Sequence, residues 1–341
     1  MKRYLSVDLF SGAGGMSEGL RSAHFNVKYA FEIDPVATRT YLMNHPHTKV
    51  YSQDIRLVNA EKIVKHLKGN TIHLLAGCPP CQGFSSIRRL NRKSPVQDER
   101  NQLIREYVRF VEVLRPFTIM LENVPGLALS DSFNEAIERL SGLGYQLSYD
   151  TVNVCDYGVP QNRKRLVMVG SRLGPITVAP PTHEKATVRS TIMDMPEPDI
   201  SNDPIHKMFP NHTERIRQMI HLIPHDGGSL HDLGDEWQLA CHSSNNVGFH
   251  DVYGRLRWDS YSTTITGGCL NPSKGRFLHP VYDRCISARE ASMLQTFPID
   301  YKFPTDVAKT KIALMIGNAL PPHFCKIQAD NIRIHLDTYL K

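Results

Sequence analysis

Apolar residues fall into two textures along the chain. From residue 4 to about 170, short apolar runs of strand length alternate with segments whose apolar positions recur at helical spacing. Residues 4–10, 27–32, a short stretch near Val50, 72–76, 117–121, 146–154 and 166–170 read as strands. Residues 16–23, 35–44, 60–67, 103–114 and 134–143 read as helices, the second with Pro35 in its first turn. This alternation predicts an α/β fold built on a doubly wound sheet. The texture changes at Pro175, and Pro180-Pro181 reads as a linker. From there to about 285 the chain is rich in Gly, His, Asn, Ser and Pro with weak periodicity, which predicts a smaller, loop-rich domain. Residues 288–294 read as a helix, and 322–340 as a long amphipathic helix begun by Pro321-Pro322. The expected division is a large domain over 1–174, a small one over 175–303, and a segment over 304–341 that returns to the first.

Composition narrows the classes. At 41% hydrophobic, 341 residues can bury a sizeable core. No apolar run approaches the ~18 residues of a membrane span, and Met1-Lys2-Arg3-Tyr4 leads straight into a strand, unlike a signal peptide. Seven cysteines at irregular spacing argue against a disulfide framework and for a reducing, cytoplasmic setting. The net charge of +6 permits an anionic partner without requiring one.

Two strand ends carry candidate chemistry. Gly77-Cys78-Pro79-Pro80-Cys81-Gln82-Gly83-Phe84-Ser85 follows the apolar run 72–76, so a proline-stiffened cysteine stands at the carboxyl edge of a sheet, where open α/β folds keep their sites. The run 117–121 ends in Glu122-Asn123-Val124, which places a carboxylate at a second strand tip and suggests a nucleophile paired with an acid. Cys78 and Cys81 also form a C-x-x-C. A redox pair at that spacing normally opens a helix, which Gly83 disfavours, and a zinc site lacks a second ligand pair, so no metal is expected.

A third strand end holds Asp8-Leu9-Phe10-Ser11-Gly12-Ala13-Gly14-Gly15, with Glu32 twenty residues after Gly12. Glycines there admit a ligand close to the backbone, the helix terminus suits a carboxylate or phosphate, and the glutamate suits ribose hydroxyls. Ser17 occupies the third glycine position of the dinucleotide fingerprint. S-adenosylmethionine therefore fits better than a dinucleotide, with a structural turn as the remaining reading. Asp54-Ile55 could meet an adenine ring, or Asp54 could cap a helix.

Asp8–Gly15, Pro79-Pro80-Cys81-Gln82, Glu122-Asn123-Val124, Gln161-Asn162-Arg163-Lys164-Arg165 and Gly317-Asn318-Ala319, taken in this order, resemble the DNA (cytosine-5) methyltransferases, in particular a bacterial restriction-modification enzyme. The resemblance covers about 4–170 and 255–335. It implies a Rossmann-like class I methyltransferase sheet in the large domain and target recognition in the small one. It implies Cys81 as the nucleophile on cytosine C6, Glu122 at N3 and the amino group, and Arg165, with Arg163 nearby, at O2 and in the motif's structural network. Phe10, Ser11, Gly12, Gly14, Gly15, Glu32, Ile33, Asp54, Ile55, Pro80, Leu103, Asn318 and Ala319 would line the S-adenosylmethionine pocket. Ile33 stands where some relatives place an aromatic. The implied partner is double-stranded DNA, with a cognate restriction endonuclease acting separately and the methyltransferase itself a monomer.

The target carbon is stacked inside a duplex, so the base must be flipped out. The basic run after Cys81 suits phosphate contacts through Ser85, Arg88, Arg89, Arg92, Lys93 and Arg100. Thr264, Arg255, Arg257 and Lys274 are further DNA candidates, with Thr264 in a β-branched alternating stretch that also reads as a plain strand. The same methylation on tRNA is the alternative, but the Cys-Phe-Thr signature of that branch is absent. A non-catalytic DNA-binding protein would carry damaged motifs, and a dinucleotide oxidoreductase would need the missing fingerprint.

Overall fold

The computed structural model describes residues 4–80, 103–237 and 251–340. The chain clusters into two compact units, one of Met1–Tyr157, Lys164–Thr182 and Leu320–Lys341, the other of Gly158–Arg163 and His183–Ala319. The first unit thus runs to Thr182 and takes the chain back at Leu320, later than the division expected from the sequence.

The first unit is an α/β sheet of seven strands: β1 (Tyr4–Leu9), β2 (Phe25–Phe31), β3 (Lys49–Tyr51), β4 (Leu74–Gly77), β5 (Thr118–Asn123), β6 (Gln146–Asn153) and β7 (Lys164–Ser171). Their order is β3-β2-β1-β4-β5-β7-β6. The first five are parallel, while β7 runs antiparallel to both β5 and β6. Winding goes outward from β1 to β3 and then jumps to β4, so the switch point lies between β1 and β4, where open sheets bind ligands. β5 is buried along its whole length, as befits a central strand covered on both faces, and so reads as a continuous apolar run up to Glu122.

Helices α1 (Gly15–Ser22), α2 (Pro35–Asn44), α3 (Ala60–Leu67), α4 (Leu103–Leu114), α5 (Asp131–Gly142) and the C-terminal α10 (Pro322–Tyr339) flank this sheet. Local chemistry explains their limits. Asp34 caps α2 by accepting from the amides of Val36 and Ala37, with Pro35 in the first turn. Helix α4 buries Ile104, Tyr107, Val108, Val111 and Leu114, an i, i+3, i+4, i+7 stripe packed on Leu75, Ile119 and Leu121 of the sheet. Helix α1 meets α10 at close range: a Cβ on Gly19 would lie 2.5 Å from the Cβ of Cys325, so only glycine allows that approach.

The second unit contains α6 (Val188–Ile192), α7 (Glu214–Leu222), α8 (Ala288–Leu294) and α9 (Lys309–Asn318), of which only α8 stands out in the sequence pattern. The stretch around Thr264 makes one isolated bridge, Gln161 to Ser262, rather than the alternating strand it resembles.

Buried guanidinium groups organise the second unit in place of a sheet. Arg255 is fully buried; its Nε and Nη atoms donate to the carbonyls of Ile220, Ile223, His279, Val281 and Tyr282 and to Asp283. These bonds tie the end of α7 to the 279–283 loop through backbone carbonyls and one carboxylate. Arg284 pairs in two-pronged fashion with Glu290, and Arg289 donates to Asp203 and to the Tyr301 carbonyl. Among the described residues, no helix is long and apolar enough to cross a membrane.

Candidate active site

The carboxyl edge of β1, β2, β4 and β5 gathers the candidate residues of the first unit. After β1 the backbone turns sharply: Phe10, Gly12 and Gly14 have φ of 61°, 54° and 96°. Glycine adopts such angles freely, whereas the Phe10 backbone is held against its preference, a strain that surrounding contacts must maintain. The amide of Ser11 donates to the Phe31 carbonyl at 2.9 Å, which ties the loop to the end of β2.

Glu32 sits just beyond β2 and completes the loop. Its Oε2 accepts from the Gly12 amide at 2.8 Å and its Oε1 from the Asp34 amide at 2.7 Å. Burial raises its pKa, and the two amide bonds oppose that. The carboxylate is therefore set in one orientation beside the loop. Among the described residues other than its chain neighbours, no atom lies within 4 Å of where a Cβ on Gly12 would stand. A glycine turn that leaves space among the described residues and a fixed carboxylate beside it fit a ligand with ribose hydroxyls, as S-adenosylmethionine has.

The other cofactor candidates divide. Ile55 is buried and packs into the core, whereas Ile33 is exposed, at 63%. Asp54 caps a short turn of helix and pairs with Arg56, whose Nη2 lies 2.6 Å from its Oδ2. That pair lowers the Asp54 pKa, and the capping reading and the adenine reading fall on one carboxylate. Ser11 is buried, and Phe10, Pro80 and Leu103 are half-buried. Gly15 opens α1. In the second unit, Asn318 is exposed at the end of α9 and Ala319 follows it.

At β5, Glu122 is 7% exposed, and Arg165 of β7 places Nε 2.8 Å from its Oε1. The antiparallel pairing sets Glu122 opposite Val167, so Arg165 reaches it from two residues along the neighbouring strand. Arg165 also donates to the Lys164 carbonyl at 2.7 Å. Burial lowers the Arg165 pKa, and the Glu122 carboxylate opposes that. Asn123 next door donates from Nδ2 to the Pro79 carbonyl at 2.7 Å and accepts from the Val124 amide at 2.8 Å. It fixes the proline turn to the tip of β5, a link that its place beside Glu122 hints at.

Cys78 is a free thiol held well above its ordinary pKa, chiefly by burial and then by the adjacent Glu122 carboxylate. It is half-buried, and a thiol whose pKa is pushed up carries little of the thiolate that acts as a nucleophile. Cys81 lies outside the described residues, as do Ser85, Arg88, Arg89, Arg92, Lys93 and Arg100.

Two expectations are corrected by burial. Arg163 is 3% exposed and spends its guanidinium on the carbonyls of Ile265 at 2.8 Å and Gly317 at 2.9 Å, within the second unit. It braces those loops and is not a group facing a base. Arg255, a DNA candidate by charge, is the fully buried hub already described and offers nothing to a phosphate. Arg257 and Lys274 are exposed, and the Thr264 hydroxyl donates to the Asn162 carbonyl at 2.7 Å. No group of three or more metal-ligating side chains occurs among the described residues.

The seven-stranded sheet and its flanking helices are those of an α/β methyltransferase fold. The sequence matches the family model for C-5 cytosine-specific DNA methylases over residues 4–333. The chain belongs to the C-5 cytosine-specific DNA methylase family and is a DNA (cytosine-5) methyltransferase. It is 34% identical to the type II methylase M.HgiDII of Herpetosiphon aurantiacus, over 97% of this chain and 95% of that protein. It is 30% identical to the type II methyltransferase M1.HphI of Haemophilus parahaemolyticus, over 96% and 86%. Among solved structures, one assigned as a DNA modification methyltransferase of an E. coli prophage superposes with a TM-score of 0.75 at 25% identity, covering 98% and 99% of the two chains. The S. pombe Dnmt2 methyltransferase superposes at 0.65 with 19% identity over 99% of both, which is a likeness of fold.

Proposed function

We propose that this protein transfers a methyl group from S-adenosylmethionine to C5 of a flipped-out cytosine in a short sequence of double-stranded DNA, through a covalent bond between Cys81 and C6. The observation that carries the reading is the Glu122–Arg165 pair, a buried acid and a half-buried cation at the tip of β5, where the neighbouring Asn123 holds Pro79, two residues before Cys81 in the sequence.

Cytosine C5 is a poor nucleophile. Addition of a thiolate at C6 turns the ring into an enamine that can take a methyl group at C5. The bound cofactor would supply that methyl as a sulfonium. Glu122 would hold the base at N3 and its amino group and relieve the negative charge that builds as the thiolate adds. Arg165 would orient the carboxylate and stabilise charge at O2. Loss of the C5 proton and expulsion of Cys81 by β-elimination would close the cycle. The glycine loop and Glu32 would hold the cofactor, with Asp54, Ile55, Pro80 and Leu103 as further candidates in the first unit; Asn318 and Ala319 remain candidates through the resemblance of Gly317-Asn318-Ala319 to the family motif. Exposed Arg257 and Lys274 would meet phosphates, so DNA affinity should fall steeply with salt. A separate restriction endonuclease, and action as a monomer, complete the proposal.

DNA carrying 5-fluorocytosine at the target tests the mechanism, since fluorine cannot leave as a proton does. The expected result is a denaturant-stable adduct with the wild type and none with Cys81→Ser. Free turnover of that DNA would sink the covalent step. Labelled methyl appearing on tRNA instead of DNA would move the substrate to the other branch.

A further inference from the structure

A carboxyl group with no counter-charge among the described residues lies just before the glycine loop in the sequence. Asp8, near the end of β1, is wholly buried. Its Oδ2 accepts from Ser17 Oγ at 2.6 Å, and Ser17 Oγ lies 2.6 Å from Tyr41 Oη. Its Oδ1 has no hydrogen-bond partner among the described residues. Among the described residues, the titratable groups that act with it from the surrounding elements are all acids: Glu32 after β2, Tyr41 on α2, Cys78 after β4 and Cys325 on α10. Burial first, then Glu32, push its pKa up to about 7, against the Ser17 hydrogen bond. A carboxyl that deep stays neutral unless a cation comes to it.

We propose that Asp8 senses ligand charge: its carboxyl keeps a proton in the free protein and gives it to solvent when a cationic ligand settles on the glycine loop. The inference rests on the S-adenosylmethionine reading of that loop. The methyl donor carries a sulfonium and an ammonium against one carboxylate. The demethylated product has a neutral sulfur, so beside it Asp8 takes its proton back from solvent. The device favours substrate over product, and more so as pH rises. It also gives Ser17, the departure from the dinucleotide fingerprint, a physical purpose: its hydroxyl holds the carboxyl in place.

Calorimetric titration of S-adenosylmethionine into the full chain, in buffers of differing ionisation heat, tests this. At pH 7, where the pKa lies at about 7, about half a proton should leave per ligand bound. The ligand's own ammonium contributes equally to wild type and Asp8→Asn, so the difference between them isolates Asp8. From pH 6 to 8, affinity for S-adenosylmethionine should rise by up to about tenfold relative to S-adenosylhomocysteine. Ser17→Ala should move that midpoint to higher pH. Equal proton release in wild type and Asp8→Asn, or an affinity ratio flat across pH, would overturn the inference. Should Asp8→Asn not fold, an unmoved midpoint in Ser17→Ala overturns it. Absence of binding heat at every pH would remove the cofactor reading and this inference with it.

Discussion

At the scale of single residues, the same side chain acquires opposite meanings from its surroundings. Arg165 and Arg255 are both cations in a basic chain. Arg165 faces a carboxylate at a strand tip, whereas Arg255 is enclosed by loop carbonyls. Removing Arg165 strips Glu122 of its ion-pair partner and any developing charge of its stabiliser. Arg165→Ala should therefore lower kcat by about 10²–10³, the usual loss of one such electrostatic group. The dissociation constant for S-adenosylmethionine should stay within a few-fold, because the glycine loop and Glu32 are untouched. Single-turnover methylation with separate cofactor titration checks the split. A loss confined to cofactor affinity would contradict the assignment of Arg165 to the base.

At the scale of elements, glycines show which packings are obligatory. A Cβ on Gly317, at the end of α9, would fall 2.1 Å from the Thr266 carbonyl carbon and 2.2 Å from the Gly267 nitrogen. Backbone cannot step aside as a flexible side chain can, so Gly317→Ala should destabilise the second unit by about 1–3 kcal/mol, the range for overpacking. Gly142, exposed at the end of α5, has no neighbour within 4 Å of its virtual Cβ. Gly142→Ala should instead gain up to about 1 kcal/mol from helix propensity. Urea unfolding of the two variants checks the contrast, and equal losses would mean that the approach at Gly317 is not what constrains it.

Much of the first unit was legible in the sequence because its elements are set by local signals. The helices Pro35–Asn44, Ala60–Leu67 and Leu103–Leu114 begin and end where pattern and caps place them. Glu122 could be read because a glutamate directly after a buried strand is rare. The second unit was far less legible. Its order rests on guanidinium groups meeting carbonyls distant in sequence, and neither periodicity nor composition encodes which arginine turns inward. From the sequence Arg163 therefore reads as a partner of Arg165 at the base, and Arg255 as a DNA contact. Asp8 passed as part of a glycine motif, since its missing counter-charge is a property of three-dimensional surroundings.

At the scale of the whole molecule, the two units should respond differently to acid. Burial holds His45 in the first unit and His279 in the second at a pKa of about 4. A histidine whose folded pKa lies below its unfolded value gives stability that is present above about 6.5 and is lost as pH falls, because the unfolded chain then binds more protons. In the first unit Asp8 works the other way. Its folded pKa of about 7 exceeds the unfolded value, so the native state binds the extra proton in the same window and offsets His45. The second unit has no such offset from an equally raised carboxyl among its described residues. From pH 7 to 5 His279 should therefore cost it on the order of 2 kcal/mol. Both tryptophans of the chain, Trp237 and Trp258, lie in that unit, so their emission reports it selectively. The tryptophan-monitored urea midpoint should drop between pH 7 and 5, and His279→Gln should flatten that drop. Far-ultraviolet circular dichroism, dominated by the helices of the first unit, should move less. Parallel shifts in both signals, persisting in His279→Gln, would place the acid sensitivity elsewhere and show that the units unfold as one.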